Sequence, residues 1–328
     1  MTYDIITIGG ALRDIIFKTE EGLVIKNPKD PLREKLLAFE LGAKIYSDRV
    51  WFELGGGACN TASSFAKLGL KTGVLARVGK DREGEGIIND LANLGIETKF
   101  IQKDSKLATG FSFIISLPGE KGHTIFSYRG ANDNLDLRFK ISDLRTKWFS
   151  ISSLSMKNWE KILGEFFKLA FQEKIQVAWN PGLVQLRDYK KMKKFLPGTE
   201  ILVLNKDEAR ELVLRNKKNL KANPPGLKSL FKEICKMGPK VVVITCGRRG
   251  AYGFDSKKIY FQKIIPVKVA DTTGAGDAFY GGFVTSFIYN PGNVRRALKW
   301  GTANAAGVIT KIGAQKGLLT LKQIKKYK

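Results

Sequence analysis

Asp271-Thr272-Thr273-Gly274-Ala275-Gly276-Asp277-Ala278-Phe279 is the stretch on which the reading of this chain turns. An apolar, β-branched run at 264–270 precedes it, and an apolar segment of helical character follows it to about residue 288. Strand, glycine turn and helix in that order put the two glycines at a helix N-terminus. Backbone N–H groups and the helix dipole favour an anion there. The pattern suits a phosphoryl group, which carries its charge on equatorial oxygens while it is transferred. Asp277 falls in the first turn, where a carboxylate can take the proton of an attacking hydroxyl. The helix N-terminus is expected to hold it ionised. The same spacing also fits a plain glycine turn with a helix-capping aspartate. No GxxxxGK[ST] occurs, no GxGxxG occurs at this position, and HRD and DFG are absent. The stretch is therefore neither a P-loop nor a dinucleotide fingerprint nor part of a protein-kinase set.

Working outward, strand and helix patterns alternate. Strands are expected at 3–9, 72–78, 148–152, 175–179, 201–204 and 241–245. Helices are expected at 59–68, 83–94, 158–171, 206–214, 227–236 and 293–310, with hairpin-like runs at 251–254 and 259–262. The alternation predicts an α/β fold: a central, mostly parallel sheet with helices on both faces. Runs 111–117 and 123–129 break the rhythm, because only Pro118-Gly119-Glu120-Lys121-Gly122 separates them. They read as a hairpin. With 15–17 and 45–52 they make a small separate sheet, placed like a lid beside glycine-rich loops. One domain over 1–328 is expected, with lid segments at about 15–53 and 108–130. On the alternation of its strands, Phe111 and Phe113 share one lid face, and Phe126 and Tyr128 share another.

Composition narrows the chemistry. The chain has 328 residues, 43% of them hydrophobic, enough for a sizeable core. The only histidine, His123, excludes mechanisms that need two imidazoles and His-pair zinc sites. Cys59, Cys235 and Cys246 form no CxxC pair and do not read as a disulfide framework. Lys+Arg 56 against Asp+Glu 31 gives +25. The lysines are scattered, and the densest clusters, at 190–194, 217–221 and 322–328, read as solvated helix faces rather than a nucleic-acid stripe. Attraction for anionic small molecules such as nucleotides follows from the same charge. With no signal-peptide pattern and no run long enough to span a membrane, a cytoplasmic protein is expected.

At DTTGAGDAF the sequence resembles the ribokinase-like (PfkB) carbohydrate kinases. Gly55-Gly56-Gly57-Ala58-Cys59-Asn60 is similar to the family's first signature, and Asn205-Lys206-Asp207-Glu208 to its Asn-x-x-Glu. The motifs stand in family order along essentially the whole chain. The resemblance implies a fold with a β-sheet lid and an ATP-dependent phosphotransferase. It implies Asp277 as catalytic base and Gly274, Ala275 and Gly276 as the anion hole. It gives Asp14, Gly55, Gly56 and Asn60 to the acceptor pocket, Asp14 at the end of the first strand. Asn205 and Glu208 would organise Mg²⁺ and the nucleotide phosphates, Glu208 through water. Thr245 and Gly247 would contact phosphate, and Asn304 would lie near the adenine. On the residues alone, Asp14 also fits a turn, Asn60 a helix cap, and Asn205 with Glu208 a capping box.

The resemblance further implies a monovalent cation, K⁺, beside the anion hole. Asp271, Thr273 and the carbonyls of Val308, Lys311 and Gly313 would hold it. Gly317 replaces a side-chain oxygen of the ribokinase version, and a plain helix C-cap fits the loop equally well. Arg13 is expected to point away from Asp14. Arg129, at the end of a lid strand, either reaches the acceptor or is simply solvated. Segment 18–44 is longer than the usual lid entry. The expected acceptor is a small sugar rather than a nucleoside, and the expected assembly a homodimer through the lid. A non-catalytic nucleotide- or nucleic-acid-binding protein is the rival from another class.

Overall fold

The computed structural model describes residues 2–27, 35–47, 49–117, 123–137, 144–216 and 225–327. In chain order the strands are β1 (Ile5–Ile8), β2 (Leu12–Lys18), β3 (Leu23–Lys26), β4 (Lys35–Ala38), β5 (Val50–Gly55), β6 (Thr72–Leu75), β7 (Arg77–Gly79), β8 (Gln102–Asp104), β9 (Gly110–Ser116), β10 (His123–Tyr128), β11 (Trp148–Ile151), β12 (Gln176–Trp179), β13 (Ile201–Asn205), β14 (Val241–Thr245), β15 (Ala251–Phe254) and β16 (Ile259–Gln262). The helices are α1 (Gly57–Lys67), α2 (Arg82–Asn93), α3 (Trp159–Gln172), α4 (Leu183–Arg187), α5 (Tyr189–Met192), α6 (Lys206–Asn216), α7 (Leu227–Cys235), α8 (Ala275–Tyr289), α9 (Val294–Val308) and α10 (Leu321–Ile324).

The short apolar runs become an eight-stranded sheet in the order β16-β15-β14-β13-β12-β11-β1-β6. Every pairing from β6 to β14 is parallel, and β15 and β16 close the edge antiparallel. The strands are buried on both faces, so they read as continuous apolar runs. On one face Phe166, Leu212 and Leu230 of α3, α6 and α7 pack against Phe149, Trp179 and Leu204. On the other, Phe65, Phe283 and Leu298 of α1, α8 and α9 pack against Ile5, Ala178 and Val243. Helix α8 is buried almost all round, which is why its sequence is apolar without a polar face. A fully buried ring such as Phe283 contributes about 2–3 kcal/mol. Among the described residues no helix is long and apolar enough to cross a membrane.

The parallel strands aim their C-terminal ends at one edge, where open α/β sheets bind ligands. The chain leaves β1 through Gly9 and Gly10 and enters the small sheet, ordered β10-β9-β2-β5. The expected hairpin is present: β9 and β10 pair antiparallel with Phe113 opposite Phe126 and Phe111 opposite Tyr128. The tip of its loop, 118–122, lies outside the described residues. Register corrects one expectation. Ile15, Phe52, Phe113 and Phe126 stand in one cross-strand row, so all the hairpin aromatics share a single face. Asp14, Glu53 and Ser112 form the neighbouring row, on the opposite face. Segment 18–44 holds a second small hairpin, β3 with β4, and its 28–34 stretch lies outside the described residues, as does the lysine cluster at 217–221.

Two further expectations fail. The run 264–270 forms no strand: Pro266 removes a ladder donor in mid-run, and the surrounding residues are largely exposed. The expected strand at 72–78 is split into β6 and β7. Arg77 there turns to pair with Asp104 at 3.0 Å and Asp136 at 2.7 Å, and β7 pairs with β8.

Candidate active site

Helix α8 begins at Gly274, whose φ of 72° lies in the left-handed region. A Cβ there would sit 2.3 Å from Ala314 Cβ, so only glycine lets the C-terminal loop close against the turn. Gly276 is exposed with open space around it, which leaves the first N–H groups of α8 accessible. Asp277 lies one residue further along. Its Oδ2 accepts a 2.8 Å hydrogen bond from Asn60 Nδ2, and Asn60 is 5% exposed on the first turn of α1. The structure thus joins the acceptor asparagine directly to the candidate base. Burial pushes the Asp277 carboxyl up to about 6, while the Asn60 donor pulls it down. The carboxyl still ionises below neutrality, but burial raises it above the ordinary aspartate range.

Asp14 sits within β2 rather than at the end of the first strand, and is 6% exposed. It stands opposite Glu53 of β5 on one side and Ser112 of β9 on the other. Burial pushes its carboxyl up to about 7; the Ser112 hydrogen bond lowers it, and the charges of Asp277, Asp271 and Glu53 raise it. These four carboxylates therefore share one cleft. A Cβ on Gly55 would meet the Asp14 carboxyl carbon at 2.4 Å, so glycine is required for Asp14 to lie there; Gly56 packs on the Gly10 carbonyl. Arg13 points away as expected and pairs with Glu83 and Asp90 of α2. Arg129 is exposed at the end of β10, with no hydrogen bond from its guanidinium among the described residues.

The nucleotide-side residues lie along the same edge. Asn205 ends β13 directly beside Thr245 at the end of β14. Asn205 Oδ1 accepts from Glu208 N at 2.9 Å, and Glu208 Oε2 accepts from Asn205 N at 2.8 Å. This is a reciprocal capping box of α6 that leaves Glu208 Oε1 without a hydrogen-bond partner among the described residues. Burial raises the Glu208 carboxyl. Gly247 opens the turn after β14 with φ 54° and empty space where a side chain would stand. Asn304 is the exception. It is fully buried, its amide donates to Ser64 Oγ and the Ala278 carbonyl, and its oxygen accepts from Leu319 N. Its polar atoms are consumed in joining α9 to α8 and α1, so it does not line a base pocket.

Asp271 holds the turn from below. Its Oδ1 accepts from Thr273 N and Oγ1, and its Oδ2 from Gly313 N at 3.0 Å. Among the described residues no lysine or arginine pairs with it, so its charge suits a bound cation. Lys316 instead pairs with Glu53 at 2.5 Å, and Lys311 is exposed. The Val308 carbonyl accepts from Lys311 N, and Gly317 packs on the Gly307 carbonyl. Two functional neighbours escaped the sequence reading. Glu53 is a charge inside an apolar strand two residues before the glycines, which is a usable signal. Gln315 ends the loop 310–315 that resembles the ribokinase version, but nothing local in the sequence announces its 3.2 Å contact with Asn60.

Comparison with known proteins identifies the family and the fold. The family model described as pfkB family carbohydrate kinase matches residues 30–321. The ribokinase of Haemophilus influenzae is 28% identical over 271 residues, 81% of this chain and 84% of that one. A 5-dehydro-2-deoxygluconokinase of Clostridium perfringens is 28% identical over 291 residues, 84% of this chain and 83% of that one. A crystal structure of a putative ribokinase II from E. coli in complex with ATP and Mg²⁺ superposes with a TM-score of 0.78 at 20% identity, covering 99% of this chain and 98% of that one.

Proposed function

Because the chain belongs to the pfkB family of carbohydrate kinases, we propose that it transfers the γ-phosphoryl group of ATP to a hydroxyl of a small neutral sugar. One observation carries the reading: a half-buried carboxylate at the N-terminus of α8, held by Asn60 and near a second carboxylate, Asp14. Asp14, Asn60, Gly55 and Gly56 position the acceptor. Asn60 occupies Asp277 Oδ2, so Oδ1 takes the hydroxyl proton as the oxygen attacks phosphorus. The N–H groups of Gly274, Ala275 and Gly276 receive the charge on the transferred group. ADP then leaves with the electron pair of the broken bond.

Glu208, through its Oε1, and Asn205 beside it would hold Mg²⁺, Glu208 through water; the ion neutralises charge on the nucleotide phosphates. Thr245 and Gly247 lie beside them to receive the phosphates. Asp271 and Thr273, with the carbonyls of Val308, Lys311 and Gly313, fit a K⁺ that steadies the anion hole, with Gly317 offering no side-chain ligand. Closure of the small sheet over the cleft excludes water and limits ATP hydrolysis. The apolar face of that sheet, with Phe52 65% and Phe126 58% exposed, pairs with a second copy of the chain. The enzyme works in the cytoplasm, where ATP is held.

Two features favour a neutral sugar. Asp14, Asp271 and Asp277 gather carboxyls near the acceptor, with only Glu53 offset by Lys316, which disfavours an aldonate acceptor of the kind the Clostridium perfringens relative is named for. The hairpin aromatics Phe111, Phe113, Phe126 and Tyr128 lie on the face opposite Asp14, so that among the described strands of the sheet Trp51 alone could stack on a nucleoside base. Competition between acceptors tests this: ribose and fructose against 2-keto-3-deoxygluconate and 5-dehydro-2-deoxygluconate, and against adenosine, inosine and cytidine. A neutral sugar should reach kcat/KM near ~10⁴ M⁻¹s⁻¹. If only aldonates or only nucleosides reach it, the neutral-sugar assignment fails.

A further inference from the structure

Asn60 ends in an amide whose two tips are nearly equal in size and opposite in chemistry. Which tip meets Asp277 decides whether the base is held by a donor or faced by another acceptor. The choice is made outside the pair. Gln315 Nε2 lies 3.2 Å from the Leu54 carbonyl and 3.2 Å from Asn60 Oδ1. A carbonyl only accepts, so Leu54 fixes the nitrogen end of Gln315 inward. That nitrogen then fixes the oxygen end of Asn60, since two NH₂ groups cannot bond each other. What remains of Asn60 is its Nδ2–H, aimed at Asp277. Ser63 Oγ meets the other tip of Gln315 at 2.9 Å, and Lys67 Nζ holds the Gln315 backbone carbonyl at 2.9 Å. Asn60, Ser63 and Lys67 recur at helical spacing on one side of α1, which is why one residue of the C-terminal loop can touch all three.

We propose that Gln315 is a positioning residue for phosphoryl transfer: it locks the Asn60 amide with its donor on Asp277 Oδ2 and thereby keeps Oδ1 free as the proton acceptor. The proposal rests on the reading of Asp277 as base. The same loop reaches further. Ala314 packs on Gly274, Gly313 N bonds Asp271, and Lys316 pairs with Glu53 of β5. One short loop thus ties the base, the anion-hole turn and a lid strand together.

Loss of the lock has a definite sign. A carboxylate that loses an N–H donor is less stable as the anion, so its pKa rises and activity is lost at a higher pH on the acid side. The titratable and charged groups around Asp277 are Asp14 from β2, Glu53 from β5, Asp271 from the preceding loop, Tyr280 on α8, Lys67 on α1 and Lys316 on the loop itself. None is altered by substituting Gln315.

The test is kcat against pH for Gln315→Met and Gln315→Glu beside the parent enzyme. Met keeps the length and removes both amide tips. The acid limb should move up by about half to one pH unit and kcat at pH 7 should fall roughly 3–10-fold, with KM for ATP within about twofold. Gln315→Glu offers only acceptors to Leu54 and Asn60 and should shift the limb further. In an Asn60→Ala background, Gln315→Met should cost less than about twofold more, because residues acting through one another are not additive. Unmoved limbs in both variants, or multiplicative losses with Asn60→Ala, overturn the proposal. Should Gln315→Met lose its cooperative melt, Gln315→Glu, closer in shape, reads out the same limb. Asp277→Asn separates the two ideas: if it retains full turnover the base reading fails, and if it is inert while the Gln315 limbs stay put, only the positioning role fails.

Discussion

The two halves of the cleft are built from different materials. On the acceptor side the working groups are buried side chains bonded to one another: Asp14 is 6% and Asn60 5% exposed, and Asn60 is fixed at both ends. On the nucleotide side they are exposed backbone turns, with Asn205 at the surface and open space around Gly247 and Gly276. Burial on the first side pushes two carboxylates up by desolvation, which poises them for proton transfer near neutrality. On the second side burial raises only Glu208 among the residues named there, and backbone N–H groups supply most of the polar contacts. Changes on the acceptor side should therefore appear in kcat and its pH dependence, and changes on the nucleotide side in KM for ATP.

The largest expected effect is at the base. Asp277→Asn keeps size and capping but cannot take a proton, and should lower kcat by roughly 10²-fold or more with little change in nucleotide affinity. Near-parental turnover would mean that the acceptor side does not supply the base. Next comes a pair of glycines with positive φ, one at the anion-hole turn where the two sides meet and one in the turn after β14. Gly274→Ala drives a Cβ to within 2.3 Å of Ala314 and should cost about 10-fold or more in kcat. Gly247→Ala meets no atom and should raise KM for ATP only a few-fold through backbone strain. Equal effects on the same constant would erase the distinction.

The smallest effect is one of stability. A carboxyl whose folded pKa is raised binds its proton more tightly in the folded state, so it costs stability as pH rises from the unfolded value of 3.8 towards about 7. Asp14→Asn should raise Tm at pH 8 by about 2–4 °C. The gain should shrink as pH falls from 7 towards 4. A lower Tm at pH 8 would show that Asp14 is satisfied in the free protein.

Much of this was legible in the sequence, for physical reasons that differ by element. The buried parallel strands announce themselves as short apolar runs, and 241–245, 251–254 and 259–262 coincide with β14, β15 and β16. The run 264–270 has the same composition, but Pro266 withholds a donor and no neighbouring strand accepts the rest. The lid aromatics were divided between two faces because the offset between two strands is fixed by the turn, not by alternation within either. Asp277 and Asn60 were legible as chemistry, but not as partners, since 217 residues separate them. Asn304 fits a polar site in sequence, yet joins three segments in the core. Gln315 was hidden because an amide gains its role only from what stands at each tip.

The most direct measurement is kcat for sugar-dependent ADP formation from pH 4.5 to 9 with saturating ATP and Mg²⁺. A half-buried Asp277 acting as base predicts an acid limb centred near pH 6 and a plateau above it, with the limb absent from the residual activity of Asp277→Asn. A rate that is flat down to pH 5, or an unchanged limb in Asp277→Asn, would contradict the account.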